Sequence, residues 1–246
     1  MHASSYKFTS VLLWILCTCS QIKNQSYYSF VLFWNTGQGQ WITALTPDKC
    51  IHFDFGGEVH YWKKNEPLFM HLCKNKLNVL YLSHTDKDHY AYLTLFQKKL
   101  KKLCWAELRP TSLNHLSKKI PLCKDFNKLT DDFLIYRPAY AKSKNDSSAV
   151  YHYKSLLLPG DSTKAHEKIW CKKLDLHLKY LVLGHHGSKT STSEDLLKKL
   201  SHIYFAIVQA RYKKYKHPHH TVVSRLKKHK IPLIRTEDWG NILFEL

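Results

Sequence analysis

Acidic side chains are scarce in this chain: 19 Asp and Glu face 38 Lys and Arg, a formal charge of +19 before any of the 17 histidines is counted. Such a field draws polyanions, either an anionic membrane surface or nucleic acid. The second is the sharper reading, because phosphate neutralisation binds without regard to base sequence. The lysines recur as pairs along the whole chain (Lys98-Lys99, Lys101-Lys102, Lys118-Lys119, Lys172-Lys173, Lys198-Lys199, Lys213-Lys214, Lys227-Lys228), so folded structure rather than a terminal tail carries the charge. No internal repeat or low-complexity stretch occurs, which excludes a repeat array. No C-x-x-C pair occurs among the seven cysteines, which excludes a zinc ribbon and a thioredoxin-type motif. The N-terminal apolar run, Val11 through Cys17, is too short to span a bilayer. With 44% hydrophobic, 13% aromatic and 23% charged residues in 246, the chain is neither disordered nor a mini-protein, and one catalytic-sized domain is expected.

Residues 1–20 read as a signal peptide: Lys7 in a short polar start, the apolar run, then Thr18, Cys19 and Ser20. The polar stretch Gln21 to Ser26 reads as a released terminus. The alternative is a buried N-terminal strand or helix. Export places the mature protein in the periplasm, outside the cell, or lipid-anchored at the membrane surface, with residues 27–246 as the folded domain and no membrane-spanning segment in it. Leu16-Cys17-Thr18-Cys19 is a poor match to a lipoprotein box, since Thr18 precedes the cysteine. Removing the leader leaves five cysteines, enough for at most two disulfides and a free thiol, with no pairing deducible.

Beyond the leader, short β-rich runs at Ser29 to Trp34, Trp41 to Thr46 and Ile51 to Phe55 predict an antiparallel meander. Helical spacing follows over Trp62 to Cys73, and Leu77 to Leu82 is a continuous apolar strand of the kind buried on both faces. Strands are expected at Leu103 to Leu108, Phe133 to Tyr136, Ala149 to Tyr153, Ser155 to Leu158, Tyr180 to Leu183, Ile203 to Val208, Leu233 to Thr236 and Ile242 to Leu246. Helices fit near Tyr90 to Lys101, Thr163 to Lys173, Ser193 to Leu200 and Thr221 to His229. The alternation predicts a layered α/β protein.

Glycine is sparse, and all eight glycines fall at or just after the ends of predicted strands, where the backbone turns sharply or approaches something closely. Metal-binding side chains stand beside them. His84-x-Asp86-x-Asp88-His89 packs two imidazoles and two carboxylates into six residues after a buried strand, too many for one four-ligand metal but suited to two. The plainer reading is a polar loop with Asp88 as an N-cap. Asp161 follows Leu158-Pro159-Gly160, a setting equally common in ordinary turns. His185-His186, flanked by Gly184 and Gly187 at a strand exit, reads as a ligand pair more readily than as two surface histidines.

The order Thr36-Gly37-Gln38-Gly39, Asp54-Phe55-Gly56-Gly57, Ser83-His84-x-Asp86-x-Asp88-His89, Asn145-x-Ser147-Ser148, Leu158-x-Gly160-Asp161, His185-His186-Gly187-Ser188 and His217-Pro218 resembles the metallo-β-lactamase-fold domain of ComEC-type competence proteins over residues 30 to 246. The resemblance implies a four-layer αββα sandwich with a metal site at its upper edge. It departs from the family at Gln40, where an aspartate is usual, and at Tyr90-Ala91, where a glycine-rich turn is usual. The family's membrane-channel portion is absent, so a free-standing domain is expected.

Carried over, the resemblance gives His84 and Asp86 to one metal and Asp88 and His89 to the other. Asp161 bridges them, and His185 completes the second metal with His186 as the alternative. Asp54 would steady ligands without binding metal. Asn145, Ser147, Ser148 and Ser188 would line the substrate side, and Asp88, Asp161 and His217 would take part in catalysis, His217 by donating to phosphate or protonating the leaving oxygen. Three carboxylates make Mn²⁺ as suitable as Zn²⁺. The implied function is an exported, metal-dependent nuclease acting on DNA, with DNA-uptake machinery as a partner. A hydrolase of small esters or lactams on the same fold, or a nucleic-acid-binding module with a structural metal, are the alternatives.

Overall fold

The computed structural model describes residues 30–107, 111–113, 119–124, 133–174 and 177–246. The expected signal peptide with Cys19, and the end of the strand expected to reach Leu108, lie outside the described residues. The chain opens on β1 (Phe30–Phe33), β2 (Trp41–Leu45) and β3 (Lys49–Phe55), paired antiparallel in sequence order. After α1 (Val59–Cys73) come β4 (Leu77–Tyr81), α2 (Lys87–Tyr90), α3 (Leu93–Lys99) and β5 (Leu103–Trp105), with β3, β4 and β5 parallel. The second half runs β6 (Leu134–Tyr136), β7 (Val150–Tyr153), β8 (Leu156–Leu158), α4 (Lys164–Trp170), β9 (Tyr180–Val182), α5 (Glu194–Lys199) and β10 (Phe205–Val208). It ends with α6 (Tyr212–Tyr215), α7 (His220–Lys228), β11 (Leu233–Arg235), α8 (Thr236–Trp239) and β12 (Ile242–Glu245). Two six-stranded sheets result, ordered β12-β1-β2-β3-β4-β5 and β11-β10-β9-β8-β7-β6.

Side-chain alternation along the strands builds the layers. In β2, Ile42 and Ala44 face the second sheet, while Trp41 and Leu45 face the helices over the first. Phe53, Val79 and Tyr81 meet Tyr151, Leu158, Val182 and Ile207 between the sheets. Trp62, Phe69 and Phe96 cover the outer face of the first sheet, and Trp170, Leu196, Leu197, Val222 and Leu226 cover that of the second. The architecture is the four-layer αββα sandwich.

The outer core of the first half is aromatic: Trp34 stacks on Trp41 at 4.2 Å and Phe69 on Phe96 at 4.7 Å. His52 sits among these rings. It bonds Thr43 Oγ1 at 2.9 Å and Asn78 Oδ1 at 3.0 Å, and burial pushes its imidazole down to about 4, so it is a neutral core residue.

Two departures from the sequence expectations have local causes, and the cysteines take the two-bridge, one-thiol form expected. The helix expected over Tyr90 to Lys101 breaks between α2 and α3, because the Tyr92 N–H is taken by the Phe55 carbonyl at 3.0 Å and its hydroxyl by the Glu58 carbonyl at 2.9 Å. The one-turn helices α6 and α8 were not anticipated, as four residues are too short for apolar periodicity to register. The five cysteines resolve into bridges Cys50–Cys73, joining β3 to the end of α1, and Cys104–Cys123, joining β5 to the segment after it, with Cys171 a free thiol. Among the described residues no helix is long and apolar enough to cross a membrane.

Candidate metal centre

The C-terminal ends of β3, β4, β8, β9 and β10 bring their following loops to one edge of the two sheets. Asp54 is the hub. Its backbone lies in the left-handed region (φ 55°), and its buried carboxylate accepts from Ser83 N–H at 2.7 Å, Ser83 Oγ at 2.8 Å, Gln40 Nε2 at 2.9 Å and His89 Nδ1 at 2.7 Å. Donating Nδ1–H to Asp54 leaves the His89 Nε2 lone pair facing the site. Gln40, the departure noted in the sequence, serves here as a hydrogen-bond donor to Asp54. Gly56 is required here, because a Cβ on it would lie 2.1 Å from the Asp88 carbonyl oxygen.

Asp161, buried, is the second convergence point. Its Oδ1 lies 3.1 Å from His89 Nε2 and 3.7 Å from His186 Nε2, and its Oδ2 lies 3.5 Å from His185 Nε2 and 3.8 Å from His84 Nε2. Burial opposes its ionisation, yet His89 and His186 hold its carboxyl well below the usual range. Asp88 Oδ2 is 3.2 Å from His186 Nε2, and Asp86 Oδ2 is 3.5 Å from His84 Nε2. Lys144 Nζ stands 3.1 Å from the other Asp86 oxygen. Two groups of ligand atoms converge within 4.8 Å: His84, His89 and Asp161, and Asp88, His89 and His186.

This donor set fits divalent cations. His186 donates Nδ1–H to the Gln209 carbonyl at 3.1 Å, as His89 does to Asp54, so both Nε2 atoms point into the site, 3.2 Å apart. His84 Nε2 is buried without a hydrogen-bond partner, and such an atom is costly unless something else engages it.

The sequence left His185 and His186 as alternatives beside Asp88 and His89, with His185 preferred. The structure brings His186 there; His185 turns to Asp161 Oδ2 and to Asn145, whose Nδ2 lies 3.3 Å from its Nε2. Both histidines have positive φ (49° and 52°). Of the expected substrate-side residues, Ser148 is fully buried and its Oγ accepts the Asp161 N–H at 3.1 Å, so it positions Asp161 instead of meeting a ligand. Ser147 bonds within its own turn and Ser188 Oγ bonds Thr190 at 2.9 Å.

His217 reaches the rim, its ring 6.2 Å from that of His185 and its Nδ1 3.4 Å from Gln38 Nε2. Burial, then His186 and His185, pushes it down to about 4, so it is neutral at pH 7. Sequence reasoning missed Ser83, Gln209 and Lys144. The first two sit at strand ends, the same position that marked the ligands, but only their contacts reveal what they do.

No protein-family model matches the chain. In sequence it is 29% identical over 226 residues to Competence protein ComA of Neisseria gonorrhoeae, covering 88% of this chain and 32% of that protein. It is 30% identical over 175 residues to Recombination protein 2 of Haemophilus influenzae (68% and 22%) and 28% identical over 190 residues to ComE operon protein 3 of Bacillus subtilis (69% and 24%). The chain thus spans a third or less of the relatives it matches. In structure it is similar to Igni18, a metallo hydrolase from Ignicoccus hospitalis, with a TM-score of 0.55 at 12% identity, covering 88% of this chain and 99% of that one. It is similarly close to a diphosphatase of the PhnP family, with a TM-score of 0.54 at 12% identity over 88% and 98%. Shared layers with the metallo-hydrolases and shared sequence with the competence proteins identify this chain as a metallo-β-lactamase-fold domain of the ComEC type.

Proposed function

We propose that the chain is an exported, metal-dependent phosphodiesterase that cuts DNA during uptake. The observation that carries this reading is the convergence of four imidazoles on the two oxygens of buried Asp161, with His84 Nε2 left without a hydrogen bond. His84, Asp86, Asp161 and His185 would hold one cation; Asp88, His89, Asp161 and His186 the other. When bound, two such cations, Mn²⁺ or Zn²⁺, acidify water and stabilise charge on a phosphodiester under attack. Asp54 and Gln209 fix the tautomers of His89 and His186, and Ser148 orients Asp161. Neutral His217, with Gln38 at its Nδ1, has Nε2–H free to donate to a phosphate oxygen.

The formal charge of +19 supports a polyanionic substrate, and the names of the competence relatives support DNA. Two disulfides support an oxidising compartment. The test compares two histidines. Replacing His186 by alanine should remove metal and cleavage together. His217→Ala should keep its metal and lose about 10²-fold in DNA turnover, as expected when a transition-state donor is removed. Full cleavage in both variants, by gel assay beside elemental analysis, contradicts the assignment.

A further inference from the structure

Three exposed aromatic rings lie on two one-turn helices, the ones that follow β10 and β11. Helix α6 exposes Tyr212 (46%) and Tyr215 (39%), and α8 exposes Trp239 (76%). The positions between and after the tyrosines are Lys213, Lys214 and Lys216, all exposed. Helix α6 is fixed to the site. The chain passes from α6 into His217 within two residues. The Arg211 N–H donates to Gln38 Oε1 at 3.3 Å, and Arg211 and Lys214 both grip Glu58, at 2.9 and 3.2 Å. The two helices are fastened together: the Tyr212 N–H donates to Glu237 at 2.9 Å, and the Arg235 guanidinium lies over the Tyr212 ring at 5.4 Å. Lys214 lies over the Tyr215 ring at 4.8 Å, and Lys216 lies over the Tyr212 ring at 5.7 Å.

Single exposed rings are ordinary on a protein surface. Three rings on two linked one-turn helices, interleaved with cations and leading into a site suited to phosphodiesters, form a pattern. Cations alone suffice for a duplex, which shows a protein its phosphates and keeps its base faces inside the stack. Rings among cations suit a strand whose bases are free to stack while its backbone is neutralised.

We infer that α6 and α8 form a stacking platform for single-stranded DNA. Bases of nucleotides leaving the metal centre rest on Tyr215 and Trp239, while Tyr212, flanked by Arg235 and Lys216, braces the two helices and the exposed lysines meet the phosphates. The inference rests on the phosphodiesterase reading and adds strand type to it.

The test measures fluorescence anisotropy of the metal-loaded protein with three labelled probes of equal length, all with hydrolysis-resistant phosphorothioate linkages: oligothymidylate, an abasic strand and a duplex. Oligothymidylate should bind at least about tenfold more tightly than the abasic strand, the scale of one or two base–aromatic stacks. The double variant Tyr215→Ala/Trp239→Ala should erase that difference, Tyr215→Phe should keep it, and Lys213→Ala/Lys214→Ala should weaken both single strands alike. Circular dichroism confirms that each variant is folded. Equal binding of thymidylate and abasic strands by wild type, or tighter binding of the duplex, overturns the platform. Hydrolysis of bis(p-nitrophenyl) phosphate by wild type with Mn²⁺ separates the two readings. If the small diester is cut while the base preference is missing, the platform alone fails; if neither DNA is bound nor the diester cut, the phosphodiesterase reading fails first.

Discussion

Asp161→Asn should bring DNA cleavage to background, a loss of about 10³-fold or more, and strip most of the bound metal, because one carboxylate serves both ion positions. The side chain keeps its shape, so packing is not the variable. What changes is charge. Oδ1 and Oδ2 each face two imidazole nitrogens, at 3.1 to 3.8 Å, and an amide can offer an acceptor to only one of those pairs. The N–H to Ser148 Oγ bond is made by the backbone and survives. Elemental analysis and a gel assay on the same preparation read both effects. A variant with wild-type metal content and wild-type turnover removes Asp161 from the centre of the account.

The largest effect on stability should come from the disulfides. Cys50–Cys73 closes 23 residues and Cys104–Cys123 closes 19, and loops of that length constrain the unfolded chain by roughly 3 kcal/mol each. Removing both as Cys50→Ala/Cys73→Ala with Cys104→Ala/Cys123→Ala should lower Tm by on the order of 10–20 °C for a domain of this size. Alanine at both ends of each bridge avoids burying an unpaired thiol. Either pair alone should give about half the fall, since the bridges pin different strands, β3 and β5. An unchanged Tm in the quadruple variant means the bridges do not form in the protein, and the support for an oxidising compartment goes with them.

Much of this was legible in the sequence where a physical signal was redundant. The strands were found because Val79 to Tyr81 and Leu156 to Leu158 are apolar on both faces, as strands between two covering layers must be. The residues expected as ligands follow strand ends beside glycines, and the structure brings them together at one edge of the sheets. What escaped depends on direction. His185 and His186 are adjacent, and which imidazole meets Asp88 depends on two consecutive positive φ angles that spacing does not encode. Ser148 was expected to meet substrate, yet its hydroxyl, next in sequence to half-buried Ser147, is fully buried and holds Asp161. Gln40 was visible only as a departure; its contact with Asp54 shows an amide serving as donor. Cysteine pairing could not be read at all, because both bridges depend on where α1 and the segment after β5 return to the sheet.

The most direct measurement is cleavage of plasmid and of single-stranded DNA by the purified chain with Mn²⁺ or Zn²⁺, with and without EDTA, alongside a chromogenic β-lactam. The account predicts metal-dependent DNA cleavage that EDTA abolishes and returned metal restores, with the lactam left intact. DNA that is bound but uncut with either metal, or a lactam opened while DNA stays whole, would contradict it.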